Sequence, residues 1–117
     1  MSIARGDVVL VDFPMSDGTR KRRPALVVQS NYNNARLSNS VFAMITSNIR
    51  LSSVEATQVL IDITLPTGRQ SGLRHTSAVK CENLYTLPSA AARKLGSLPD
   101  ELMQQVNLAL KKSLELK

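Results

Sequence analysis

"DVVLVDFPMSDGTRKRRPALVVQ", residues 7–29, decides the fold. Two short runs rich in β-branched residues, 7–13 and 24–29, flank turn-forming residues, and nothing between them has a helical period. Strands joined without a crossover helix pair antiparallel. Pro24 has no N–H to give a neighbouring strand and fits at the first position of its own. The connection, a loop of about ten residues, carries Asp17, Gly18 and the consecutive cations Arg20, Lys21, Arg22 and Arg23. Like charges in a row repel and stay in water, so a long charged loop beside a core strand is a candidate for function.

The same pattern continues outward. "VFAMITS", 41–47, reads as a third strand, and its unbroken apolar run predicts cover on both faces. "TQVLIDI", 57–63, is a fourth; "TSAVKCE", 76–82, is a fifth, extended or followed by "NLYTL", 83–87. Residues 30–40 are too polar for a strand and leave room for one helical turn, and "LPTGRQSG", 65–72, is a turn. The period changes in "PDELMQQVNLALKKSLELK", 99–117, where Leu102, Met103, Val106, Leu110 and Leu114 form one apolar helical stripe. Pro99, Asp100 and Glu101 suit its first turn, and Lys111, Lys112 and Lys117 its end. The expectation is a mainly β (α+β) fold: a small antiparallel SH3-like barrel with a C-terminal amphipathic helix packed on it, residues 1–117 forming one domain.

Composition narrows the function classes. The 117 residues are 43% apolar but only 3% aromatic, so the core is aliphatic. A second subunit burying more apolar surface would help so small a core, which points mildly to a homodimer. The net charge is +6, and residues 1–50 hold seven Lys and Arg against three Asp. Such a balance suits nucleic acid, although charge alone also describes a solvated basic surface. With Cys81 as its single cysteine the chain has no internal disulfide, which fits a reducing cytoplasm. No signal peptide or run of membrane-spanning length is visible, so a cytoplasmic protein without membrane contact is expected. One histidine and no HExxH, P-loop, GxGxxG or GxSxG pattern leave metal and nucleotide-cofactor chemistry unsupported.

The remaining candidates sit at strand ends. Pro24 biases Arg23 towards extended backbone, anchoring it to a strand while Arg20, Lys21 and Arg22 are expected on the loop. Its guanidinium is either aimed at a phosphate or a solvated charge beside a turn. Thr46 and Ser47, in "ITSN", either donate to a phosphate or cap a turn. Lys80 and Glu82 share a strand face by alternation, as an electrostatic stabiliser with a proton acceptor or as a surface ion pair. His75, in the basic turn "GLRHTS", either touches nucleic acid or does nothing.

"RGDVVLVDFP", then "RRPALVVQS", then "AMITSN" resemble the MazF/PemK family of toxins from bacterial toxin–antitoxin systems. "SGLRHTSAVKCENLYTL" and "LGSLPDELMQQVNLALKKSLEL" resemble the family's last strands and C-terminal helix, so the resemblance spans essentially the whole chain. It implies a homodimeric SH3-like barrel and a metal-independent endoribonuclease that cuts single-stranded RNA. The RNA's own 2′-OH would be the nucleophile, leaving 2′,3′-cyclic phosphate and 5′-OH ends. A cognate antitoxin would block the groove with an acidic, flexible segment.

The resemblance assigns catalytic roles to the arginine before the second strand's proline, here Arg23, and to the threonine of the "ITS" strand end, here Thr46. Where some members carry an arginine and an aspartate two apart, this chain has Lys80 and Glu82. Arg23 suits stabilisation of the phosphorane and leaving group, with Thr46 assisting. Glu82 is chemically the better proton acceptor, provided it lies in the same groove. Arg20, Lys21, Arg22, Ser47, Lys80 and His75 are expected to bind RNA, and no cofactor or metal is expected. Two other readings stay open: a CcdB-like toxin of the same barrel that poisons gyrase without cutting RNA, and a member that has lost catalysis but still binds RNA or antitoxin.

Overall fold

A computed structural model describes residues 2–117. In chain order the elements are β1 (Asp7–Pro14), β2 (Arg20–Val27), α1 (Asn31–Arg36), β3 (Asn39–Thr46), β4 (Gln58–Ile61), α2 (Pro66–Arg69), β5 (Ser77–Pro88), β6 (Arg93–Ser97) and α3 (Asp100–Leu114). The strands form one antiparallel sheet in the order β4-β5-β3-β2-β1-β6. The predicted strands and C-terminal helix are present, and "NLYTL" does extend β5. β6 was not foreseen: "RKLGS" has two cations, a glycine and no β-branched residue. Its cover comes from pairing along β1.

The barrel is strongly curled but not closed by strand pairing, since β4 and β6 remain edges. β6 is instead covered by the segment after α2: Ser97 N–H donates to the Gln70 carbonyl at 3.1 Å. β5 carries a pairing irregularity. Its register on β3 runs from Ala43↔Leu84 directly to Met44↔Lys80, so Cys81, Glu82 and Asn83 have no opposite residues. Extra residues on one strand bend it and increase twist.

Both sheet faces are covered, as the apolar run in β3 predicted. Val8, Leu26, Ala43, Ile45 and Val79 lie with Leu102, Val106 and Ala109 of α3 in one cluster. Val9, Val11, Phe13, Ala25 and Phe42 alternate onto the other face. There Phe13 meets Tyr85 edge to face, ring centroids 4.8 Å apart, a geometry favoured by aromatic quadrupoles. The α3 stripe is largely buried, except that Leu114 at the helix end stays exposed. No helix among the described residues is long and apolar enough to cross a membrane.

The expected ten-residue loop is a correction. β1 and β2 form a hairpin whose pairing continues through Asp12↔Arg22 and Phe13↔Lys21 to Pro14↔Arg20, leaving only a short turn over 15–19. Arg20, Lys21 and Arg22 are therefore strand residues. They remain exposed because β3 pairs with β2 only over Ala25–Val27, so this end of the hairpin has a neighbour on one side. Pro24 lies inside β2 rather than at its start, at the point where the second neighbour begins. Arg22 Nε lies 3.4 Å from Asp12 Oδ1 across the hairpin, and both side chains are about half exposed. Such a pair adds little stability, of order 1 kcal/mol or less.

Candidate active site and nucleic-acid interface

Past Ala25↔Met44 the paired β2 and β3 separate, and a cavity of about 340 Å³ opens between them. Its apolar part is Leu10, Pro24, Ile45, Leu73 and Leu95. Its polar part is Arg23, Arg74, Arg93 and His75, with Ser47 and Ser77. A pocket of this size accommodates a small ligand or part of a larger one. Three guanidiniums and no carboxylate make it a site for an anion, which planar N–H forks bind in bidentate fashion.

Each group arrives from a different element. Arg23 comes from β2; continuing the β2–β3 register two residues beyond Ala25↔Met44 sets it level with Thr46. Ser47 follows β3, and Arg93 opens β6 opposite Leu10. Arg74 and His75 belong to the segment leading into β5, which is fastened on both sides. Ser77 Oγ donates to the His75 carbonyl at 2.8 Å, and Thr76 Oγ1 accepts from Ile63 N–H at 3.2 Å. Gly72 has φ +74, and a Cβ there would stand 2.3 Å from the Leu95 carbonyl oxygen. Only glycine allows that backbone so close to β6.

The expected residues divide between this cavity and elsewhere. Arg23, Ser47 and His75 line it. Thr46 stands beside it at the end of β3, half-buried, and its Oγ1 accepts from Asn48 N–H at 3.1 Å. The threonine thus caps a turn, but a hydroxyl that accepts one bond keeps its proton to donate. Arg20, Lys21 and Arg22 extend a basic arm along β2, leading away from the cavity along the hairpin. Arg74 and Arg93 were not singled out in the sequence. The basic turn "GLRHTS" contained a signal for Arg74, but Arg93 becomes meaningful only once β6 pairs with β1.

Glu82 and Lys80 are not in the cavity lining. In the bent part of β5, Glu82 Oε1 accepts from Thr57 Oγ1 at 3.0 Å and Oε2 from Gln58 Nε2 at 2.8 Å. Lys80, which faces Gln58 across the β4–β5 pair, shares this side of the strand by alternation, and the carboxylate takes its hydrogen bonds from β4 and the residue before it. Burial pushes the Glu82 carboxyl up. Hydrogen bonds from Gln58, its own backbone and Thr57, with the Lys80 charge, outweigh that and hold it below the ordinary glutamate value. A carboxylate so stabilised is a weaker proton acceptor. Cys81 beside it is buried, and burial first, then the Glu82 charge, push its thiol up to about 12 despite the opposing charge of Arg5. It is therefore inert as a nucleophile. Among the described residues no three His, Cys, Asp or Glu side chains gather as a metal site.

Comparison with known proteins gives the family of the chain. Residues 4–114 match the family described as "PemK-like, MazF-like toxin of type II toxin-antitoxin system". Endoribonuclease MazF6 of Mycobacterium tuberculosis (strain ATCC 25618 / H37Rv) is 31% identical over 119 residues, covering 99% of this chain and 100% of the relative. Endoribonuclease EndoA of Bacillus subtilis (strain 168) is 30% identical, with coverage of 99% and 97%. Among solved structures, an endoribonuclease from a Mycobacterial species superposes with a TM-score of 0.78 at 25% identity, covering 99% of this chain and 94% of that one. A MazE–MazF structure from Deinococcus radiodurans gives 0.74 at 20% identity, with coverage of 100% and 99%, and attests the fold. The chain belongs to the PemK-like, MazF-like toxin family of type II toxin–antitoxin systems.

Proposed function

We propose that this chain, residues 1–117 as one toxin domain, is an endoribonuclease that cuts single-stranded RNA without a metal ion. The observation that carries the reading is the carboxylate-free cavity in which Arg23, Arg74 and Arg93 converge beside the Thr46–Ser47 strand end. The full-length relatives named as endoribonucleases support it. A phosphodiester enters with its charge on the guanidiniums. Attack by the 2′-OH on the adjacent phosphorus adds negative charge to the non-bridging oxygens. Arg23 stabilises that charge and the departing 5′-oxygen, while the Thr46 hydroxyl donates a further hydrogen bond. The 2′-oxygen displaces the 5′-oxygen, so the products are a 2′,3′-cyclic phosphate and a 5′-hydroxyl, and only RNA can react.

The basic arm of Arg20, Lys21 and Arg22 lengthens the phosphate track, and Ser47 and His75 contact the nucleotide at the rim. The same surface attracts an acidic, flexible antitoxin segment, and a second copy of the chain completes a homodimer. Glu82, fastened to Thr57 and Gln58, is assigned a structural role rather than that of the base. The direct test is incubation of a long single-stranded RNA with the purified protein and with an Arg23→Ala variant. Cleavage by the wild type alone supports the reading. Uncut RNA combined with inhibition of gyrase supercoiling would replace it with the gyrase-poison alternative, and uncut RNA that still binds would indicate lost catalysis.

A further inference from the structure

Cleavage by the 2′-OH requires a group to take its proton, and the cavity lining holds no carboxylate to do so. Of its polar groups, three are guanidiniums, which stay protonated, and two are serine hydroxyls, which are poor bases near neutral pH. The fourth nitrogen-bearing side chain is His75, the only histidine in the sequence. Imidazole is the side-chain type suited to exchanging protons in the physiological range.

We infer that His75 is the proton-transfer residue of the RNA cleavage reaction, placed at the cavity rim by the anchored turn 72–77. This rests on the endoribonuclease reading above. Its position is determined by the contacts already described: Gly72 packed against the Leu95 carbonyl, Thr76 bonded to Ile63, and the His75 carbonyl held by Ser77. The charged groups lining the cavity with it are Arg74 from its own turn, Arg23 from β2 and Arg93 from β6, all cationic. The imidazole is exposed, so protons reach it from solvent.

In the step itself the imidazole nitrogen takes the 2′-hydroxyl proton as the P–O2′ bond forms. The P–O5′ bond breaks with its electron pair going to the 5′-oxygen, which takes a proton from water. The imidazolium then returns its proton to solvent, and the protein leaves the cycle unchanged. Arg23 carries charge throughout and exchanges no proton.

The test compares wild type, His75→Gln and His75→Ala for turnover, RNA affinity and pH–rate profile, with and without added imidazole. Gln keeps size and hydrogen bonding but cannot shuttle protons. The expected result is a fall in kcat of about 100-fold or more in both variants, beyond any loss of RNA affinity from the missing rim contact. The limb of the profile that rises with pH should disappear, and imidazole should restore cleavage by His75→Ala. Wild-type turnover with an unchanged profile in His75→Gln overturns the assignment. So does a loss traced entirely to weaker RNA binding and not rescued by imidazole, which makes His75 a binding residue. If wild type itself leaves RNA uncut, the endoribonuclease reading fails first and this one with it; if wild type cuts and His75→Gln cuts equally, only the His75 assignment fails.

Discussion

Gln58 Nε2 donates a 2.8 Å hydrogen bond to Glu82 Oε2, fastening the carboxylate to β4 and outside the cavity lined by Arg23. Glu82 is five residues along β5 from Ser77, which does line the cavity. That relationship separates two groups that sequence chemistry alone pairs naturally, a cation for phosphate and a carboxylate for the proton. Glu82→Gln is therefore expected to retain most cleavage activity at neutral pH, with the pH–rate profile unchanged. Initial rates across pH check this; loss of the limb that rises with pH would return the carboxylate to the role of proton acceptor.

The same carboxylate makes an acid-stability prediction. Its value is lowered in the folded protein, so the unfolded chain binds the proton more readily, and the stabilisation is complete above the ordinary glutamate value of 4.5. It is lost as pH falls through the lowered folded value. Thermal melts of wild type and Glu82→Gln should therefore differ at neutral pH and converge as acid is added below about 4.5. A difference that stays constant through that window would show that the bonds from Thr57 and Gln58 do not depend on ionisation.

Arg23 is predicted to act through charge placed by geometry. Arg23→Ala should lose about 100- to 1,000-fold in turnover, the scale of removing one donor to a developing oxyanion. Arg23→Lys should recover part of the charge but not the planar fork. Single-turnover cleavage of a short RNA at saturating protein measures this directly. Thr46→Val, which keeps the shape and removes the hydroxyl, should cost about 10-fold or more in the same assay through loss of a hydrogen bond to a charged group.

Gly72 tests whether the turn carrying Arg74 and His75 needs its fixed position. Gly72→Ala forces a Cβ to 2.3 Å from the Leu95 carbonyl in a backbone region that alanine avoids. A loss of about 1–3 kcal/mol in stability is expected, with a cleavage defect that persists at temperatures where the variant is fully folded. Denaturant melts and cleavage rates measured at one temperature separate the two effects. A stable, fully active Gly72→Ala protein would show that the turn position is not demanding.

The basic arm should govern affinity rather than turnover. Replacing Arg20, Lys21 and Arg22 with serine should weaken RNA binding and flatten its salt dependence, with each lost phosphate contact reducing the slope by about 0.7. Binding titrations at several salt concentrations read this out. An unchanged slope would place the arm away from the phosphates.

How much of this was legible in the sequence follows from which interactions are local. The hydrophobic period gave the strands and the α3 stripe because each is set by neighbours in the chain. β6 was not legible: its residues have weak strand preference, and pairing along β1 makes the strand. The arm Arg20–Arg22 was assigned to a loop because four cations in a row look like solvent-facing chain. An exposed hairpin end solvates them equally well, so charge could not distinguish loop from edge. Arg23 was singled out by the proline after it, and the structure brings it to the cavity. Glu82 shares a face with Lys80 as alternation implies, but its partners Thr57 and Gln58 are distant in the chain, so no local pattern revealed them. Arg93 reaches the cavity only through long-range pairing.

The most direct measurement is the chemistry of the fragment ends after cleavage of a single-stranded RNA by purified protein in excess chelator. Fragments ending in 2′,3′-cyclic phosphate and beginning with 5′-hydroxyl, formed at the same rate with and without chelator, are the predicted result. Fragments beginning with 5′-phosphate would contradict attack by the 2′-OH, and cleavage abolished by the chelator would contradict a metal-free reaction in a cavity of arginines.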